Sequence, residues 1–227
     1  KYMAKLEWDK TGTHYFENGV DHGVLYPQTD GGASGSVVYG NGVAWNGLTS
    51  VTQSPEGAEP SAVYADNIKY LSLLSVEEFN ATIEAYTYPD EFAACDGSAS
   101  LGEGVTIDQQ ARKTFCLSYR TKIGNDVNND LGYKIHIIYG CLAAPSERAY
   151  ETVNDSPEAM TLSWEISTTP VVVTGFKPTS HLVIDSTKVK PAALKAIEDA
   201  LYGKESEEAK VLMPDEVAAL IKNSAGA

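Results

Sequence analysis

Residues 57 to 97, GAEPSAVYADNIKYLSLLSVEEFNATIEAYTYPDEFAACDG, place a turn, an alternating strand and a short capped helix in succession. Phe79, Ala81, Ile83 and Ala85 fall on one side of the strand, and Glu78, Asn80, Thr82, Glu84 and Tyr86 on the other. A period of two with one apolar set describes an extended strand with one buried face. The strand stops at Tyr88-Pro89. Pro89 suits a first helical position, Asp90 and Glu91 lie where a helix dipole favours negative charge, and Asp96-Gly97 reads as a stop, so a helix of about two turns is expected. Before the strand, Ser61 to Tyr64 is extended, Asp66-Asn67 is a turn, and Ile68 to Leu74 is apolar enough to be partly buried.

Working outward, WNGLTSVTQS predicts a strand and SPEGAEP a break. In the segment from Pro27 to Gly47, six glycines and two apolar islands, Val37-Val38-Tyr39 and Val43-Ala44-Trp45, predict loops broken by strand fragments. Its lack of a GK[ST] ending and of a GxGxxG opening a helix argues against a phosphate-binding loop. GVDHGVLY predicts a turn entering a short strand. Downstream of Gly97 a glycine-containing loop leads to Phe115, Leu117 and Tyr119, which alternate with small or polar residues. After the turn KIGNDVNNDLG, Tyr133 to Tyr139 forms a second alternating run, and the two make a long antiparallel hairpin. Met160, Leu162, Trp164 and Ile166 mark another strand, with shorter ones at Val171 to Val173 and His181 to Ile184.

The composition changes after Asp185. Leu194, Ile197 and Leu201 recur at helical spacing in Pro191 to Tyr202, with Gly203 as a stop, and Pro214 to Lys222 is a second amphipathic segment. Residues 1–185 therefore read as a β domain and 186–227 as a C-terminal helical arm, able to pack on its own subunit or on a neighbour.

The 227 residues suffice for a substantial core, and 43% hydrophobic against 21% charged residues suits β structure with many turns. Acidic residues outnumber basic ones 31 to 17, a net charge of −14, which disfavours binding to a phosphate backbone and suits solubility or a passage that a polyanion slides through. Cys95, Cys116 and Cys141 are widely spaced, without CxxC, and read as reduced and buried, as in a cytoplasmic protein. No apolar run approaches the roughly 20 residues of a membrane span. KYMAKLEWDKTG has no signal-peptide core, so neither a membrane segment nor secretion is expected.

No constellation points to catalysis, a metal or a cofactor. Asp126, Asn128 and Asp130 have the spacing that opens a calcium loop, but its glycine and acidic positions hold Leu131 and Ile137, which favours a hairpin turn. His14, His22, His136 and His181 have no partners at ligand spacing, and His136 reads as a hydrogen-bonded residue on a strand face. GxSxG is absent. Pairs such as Glu77-Glu78 and Glu207-Glu208 are too common in so acidic a chain to single out. The tyrosines, among them Tyr64, Tyr70, Tyr86, Tyr88, Tyr119, Tyr133, Tyr139 and Tyr150, suit strand packing and subunit interfaces.

The run from WNGLTSVTQS to EFAACDG, the FCLSYRTKIGNDVNNDLGYKIHIIYGCLAAPSE hairpin, the WEISTTPV strand and the ALYGKESEEAKVLMPDEVAALI tail together resemble the major tail proteins (tail tube proteins) of long-tailed, non-contractile bacteriophages, over about residues 17 to 222. The resemblance implies a mainly β structural virion protein without enzymatic activity: a β-sandwich or rolled barrel with one short flanking α-helix and a C-terminal helical arm. It further implies homohexameric rings stacked into a tube whose inward strands form one barrel. Double-stranded DNA passes through that tube without specific binding, a tape-measure protein occupies the lumen during assembly, and tail-terminator and tail-tip proteins close the ends. Its location would be the host cytoplasm during assembly and then the virion tail. Glu78, Asn80, Thr82 and Glu84 are then candidates for the lumen or for a solvated surface. Gly57, Glu59, Pro60, Tyr64, Asp66 and Asn67, within the 54 to 67 segment, and residues 27 to 47 are candidates for stacking loops. Residues 186 to 227 are candidates for an arm on a neighbour or an outer decoration. The competing readings are a carbohydrate-binding β-sandwich with a platform of tyrosines and Trp45 or Trp164, and an acid-base hydrolase.

Overall fold

A computed structural model describes residues 6–29, 38–153, 155 and 159–225. In chain order the strands are β1 (Phe16–Thr29), β2 (Val38–Tyr39), β3 (Val43–Trp45), β4 (Leu48–Gly57), β5 (Pro60–Ala65), β6 (Ile68–Leu74), β7 (Glu77–Ala85), β8 (Ala99–Gly102), β9 (Val105–Ile107), β10 (Phe115–Gly124), β11 (Gly132–Ala143), β12 (Leu162–Thr168) and β13 (His181–Asp185). The helices α1 (Pro191–Tyr202) and α2 (Pro214–Ala225) follow. The protein is mainly β, with one large antiparallel sheet in the order β2-β1-β10-β11-β12-β7-β4; β3 adds to β1, and β13 adds to β11 beside β12. The pairs β5–β6 and β8–β9 are separate hairpins.

The sheet curls until its ends meet. Trp45 of β3, at one end, packs edge-on against Trp164 of β12, with ring centroids 5.8 Å apart, and Leu48 and Val51 of β4, at the other end, join the same cluster. Leu25, Ala81, Ile83, Ala85, Phe115 and Leu117 fill this inner face. The alternation read from β7 is the observed one: Ala81, Ile83 and Ala85 are buried and Phe79 packs at the cluster's edge.

The helices cover the outer face of the same sheet. Cys116, Ile135, Ile137 and Tyr139 point outward to meet Ile197, Leu201, Leu212 and Val217. Three tyrosines tie the layers together: the Tyr26 hydroxyl donates to the Leu201 carbonyl at 2.7 Å, that of Tyr139 to the Leu212 carbonyl at 2.7 Å, and that of Tyr133 to Glu198 at 2.6 Å. With helices on one side and the rolled core on the other, β10 and β11 are buried on both faces, which explains their apolar runs. Helix α1 has the predicted bounds and stops at Gly203, at φ +77°, where a Cβ would lie 2.9 Å from the Ala209 nitrogen.

Several expectations are corrected. Residues Asp90–Ala94 form one short 3₁₀ turn, with Pro89 as its extended N-cap, in place of a two-turn α-helix. Its buried Phe92 packs among Trp45, Tyr88, Phe115 and Trp164, and this aromatic anchor fixes the turn. Strand β4 runs through Ser54-Pro55 to Gly57; Pro55 is tolerated because β4 pairs on only one side, with β7. The first strand is long, extended past two register shifts, where the expectation was a short one. Residues 99 to 107 form a hairpin in place of a loop, and Val171 makes only an isolated bridge to Thr179. The tail packs on its own subunit.

Candidate assembly surfaces

The segment after Gly57 is the least expected feature of the surface. Gly57, at φ +85°, turns the chain out of β4 where a Cβ would lie 2.3 Å from the Val76 carbonyl oxygen, and Ala58 follows at φ +55°. From there β5 and β6 run out as a two-stranded arm and return at Val76-Glu77. Its tip is Asp66-Asn67, both in the left-handed region at φ +50° and +63°, the turn that two-residue hairpins require. A register shift follows Val63, where Tyr70 is the extra residue.

Every residue of β5 and β6 is exposed. Val63 pairs with Leu71 and Ser61 with Leu73, so Val63, Leu71 and Leu73 share one face; Leu74 occupies the other. Tyr64, Ile68, Tyr70, Leu74 and Val76 are 63% to 83% accessible. The expected partial burial of Ile68 to Leu74 does not occur. Of the predicted stacking-loop residues, Pro60, Tyr64, Asp66 and Asn67 lie on this hairpin in place of a loop, and Gly57 and Glu59 lie at its root. Of the 27 to 47 segment, residues 30–37 lie outside the described residues, while Val43–Trp45 is a short strand that places Trp45 in the core.

The second surface is the non-core face of β4, β7 and β12. Pairing sets Glu56 beside Glu78, Ser54 beside Asn80, and Thr52 beside Thr82 with Glu165 on its other side; Ser50 and Ser163 flank Glu84. The Ser50 hydroxyl donates to the Glu84 carboxylate at 2.8 Å. Glu78, Asn80, Thr82 and Glu84 are thus brought together as predicted. Their rows add two carboxylates and contain no Lys or Arg, so the face carries one sign of charge.

Two side-chain clusters escaped the sequence reading. Asp96 is buried at the pole opposite the arm, where it accepts from Trp164 Nε1 at 3.1 Å and from Arg112 at 3.3 Å and pairs with Arg148. Arg112 also donates to the Ala143 carbonyl at 3.2 Å, so the cluster ties the 96–112 and 144–150 segments to the sheet. In addition, His136 and His181 are partners: distant in sequence, they meet because β11 and β13 are paired. No spacing rule could have signalled either cluster.

Other expectations can be checked directly. Trp45 and Trp164 are buried and unavailable as a sugar platform. The 125–131 segment is a turn, with Asn125 Oδ1 accepting from Val127 and Asn128 and Asp126 accepting from the Gly12 and His14 amides. The three cysteines are buried thiols. Glu207 pairs with Lys204, and Glu208 accepts from Asn41. Among the described residues no helix is long and apolar enough to cross a membrane. The chain matches no known family model, and no curated protein matches it.

Proposed function

We propose that this protein is a self-assembling subunit of a phage tail tube, a structural protein that works by packing against copies of itself. Six copies would form a ring and rings would stack, with the β4-β7-β12 face turned to the lumen. The observation that carries the reading is the arm: eight large apolar side chains, Val63, Tyr64, Ile68, Tyr70, Leu71, Leu73, Leu74 and Val76, stand exposed on a hairpin that its own subunit leaves uncovered. A two-stranded hairpin in water is marginal at best and needs a third surface. Large apolar side chains exposed together on one element in this way mark an interaction site. Copies of the chain are the occupant that the resemblance in sequence favours.

The cation-free face supports the same reading. Double-stranded DNA sliding past Glu56, Glu78, Glu84 and Glu165 meets repulsion and no phosphate-binding partner. In this reading a tape-measure protein fills the lumen before the genome does, terminator and tip proteins close the ends, and the assembly moves from host cytoplasm to virion tail. Neither surface performs chemistry.

Electron microscopy of the purified full chain tests the proposal. Rings with sixfold symmetry, or tubes built from them, are the expected result, together with antibody labelling of a phage tail. A protein that stays monomeric at high concentration and whose antibody labels no tail would refute it.

A further inference from the structure

We propose that the stacked His136–His181 pair is an acid-sensitive latch that fastens the arm-bearing strands β4 and β7 to β10, β11 and β13. Four rings from four strands form one column: Phe79 of β7, His181 of β13, His136 of β11 and Tyr119 of β10. Successive centroids are 4.8, 5.4 and 4.8 Å apart, with interplanar angles of 23°, 8° and 5°. Gln53 of β4 closes the column from the side, its amide donating to the Tyr119 hydroxyl at 2.8 Å and standing 3.4 Å from His181 Nε2. The column sits at the root of the arm, since β4 leaves the sheet at Gly57 and β7 rejoins it at Glu77.

The contact within the pair requires at least one neutral ring. His136 Nδ1 lies 3.2 Å from His181 Nε2. Two neutral imidazoles satisfy that contact with one proton, one ring donating and the other accepting; two imidazolium ions have no acceptor left and repel. Burial holds both rings in the neutral form at pH 7, lowering His136 below its ordinary range and, with the neighbouring His136, bringing His181 down to about 4. The other groups facing His136 are Thr121, whose hydroxyl is 3.1 Å from Nε2, Tyr119 beneath the ring, Glu17 of β1, which favours its charge, and Lys134, which opposes it. Glu17 pairs with Lys134 and also accepts from the Thr121 hydroxyl, so it is no free counter-ion for a second imidazolium. Acid therefore places two like charges inside the column, and the contacts from Phe79 and Gln53 are the ones that can give way. The root of the arm loosens while the β1–β10 pairing, built on Leu25, Cys116 and Leu117, keeps its packing.

Amide hydrogen exchange of the full chain between pH 7 and pH 4.5, corrected for the intrinsic pH dependence of exchange, tests the latch together with an NMR titration of the imidazoles. Protection at Gln53, at Phe79 to Ala81 and along β13 is expected to fall by roughly tenfold or more, as proton linkage allows up to tenfold per pH unit, while β1 and β10 keep theirs. His181→Phe retains a stacking ring without the charge and should keep its protection at pH 7 while losing most of the acid response, the remainder coming from His136. The proposal is overturned by imidazoles that titrate in the ordinary histidine range, by protection that does not fall or falls evenly over the sheet, or by a His181→Phe protein that responds to acid as the native one does. Should that variant not fold, the titration and exchange of the native chain decide alone.

Discussion

Two hairpins of this protein are both rich in apolar and aromatic residues and have opposite fates. In β10–β11, the pair Leu117 and Ile138 is wholly buried, as are the outward-facing Cys116 and Ile137. In β5–β6, the pair Val63 and Leu71 is 38% and 39% accessible, and both faces of the hairpin are open. Strand propensity and apolar content are comparable; the difference is what covers them. The first hairpin has a rolled sheet on one side and two helices on the other, and the second has neither. Burial is therefore a property of partners, and the partner proposed for the bare hairpin is another copy of the chain.

Substitutions on the two sides of this contrast should behave differently. The largest effect is expected from Ile83→Asp, which puts a charge on the wholly buried face of β7 at a cost of several kcal/mol. The variant should be recovered unfolded, as circular dichroism and solubility will show. Asp96→Ala leaves Arg112 and Arg148 facing the core without their carboxylate; since both are partly solvated, the loss should be about 2 kcal/mol, read from urea denaturation.

Acid separates the regions by pH. His181 takes its proton at about 4 when folded and near 6.5 when unfolded, so between these values the unfolded chain binds more protons. Stability is full above about pH 6.5 and should decline by about 1 kcal/mol per unit as pH falls toward 4, a dependence that His181→Phe reduces to the part contributed by His136. Carboxylates held low, such as Asp21 and Asp185, act only below that window. Glu84→Lys, on the acidic face, should change the melting point least, within about 0.5 kcal/mol of native stability, and still impair DNA passage. Normal infectivity of a phage carrying it would break the lumen assignment.

How much of this was legible in the sequence depends on range. The alternation of β7, the β10–β11 hairpin with its Asn125 turn and both helices could be read because a single segment fixes their pattern. The arm was half legible. Its Asp66-Asn67 turn is a local signal, but the exposure of Ile68 to Leu74 depends on where β4 and β7 leave the sheet, which no local pattern encodes. Phe92 converted an expected α-helix into a 3₁₀ turn through tertiary packing alone. The His136–His181 pair depends on the β11–β13 register, which joins residues 45 positions apart, and the Asp96 cluster brings two loop residues, Asp96 and Arg148, together across 52 positions. Glu78 and Glu84 could be placed on one face by periodicity, whereas the absence of any cation from the adjoining rows emerges only when β4 and β12 are paired beside them.

We propose that the bare hairpin is the contact through which copies assemble. Sedimentation velocity over a concentration series, comparing the native chain with a Leu71→Ser/Leu73→Ser variant, tests it directly. Both should melt nearly alike, because Leu71 and Leu73 are 39% and 58% accessible and belong to neither hydrophobic core of the free subunit. The native chain should shift from monomer to rings or tubes as concentration rises, while the variant stays monomeric. A native chain that remains monomeric throughout, or a variant that assembles equally well, would contradict it.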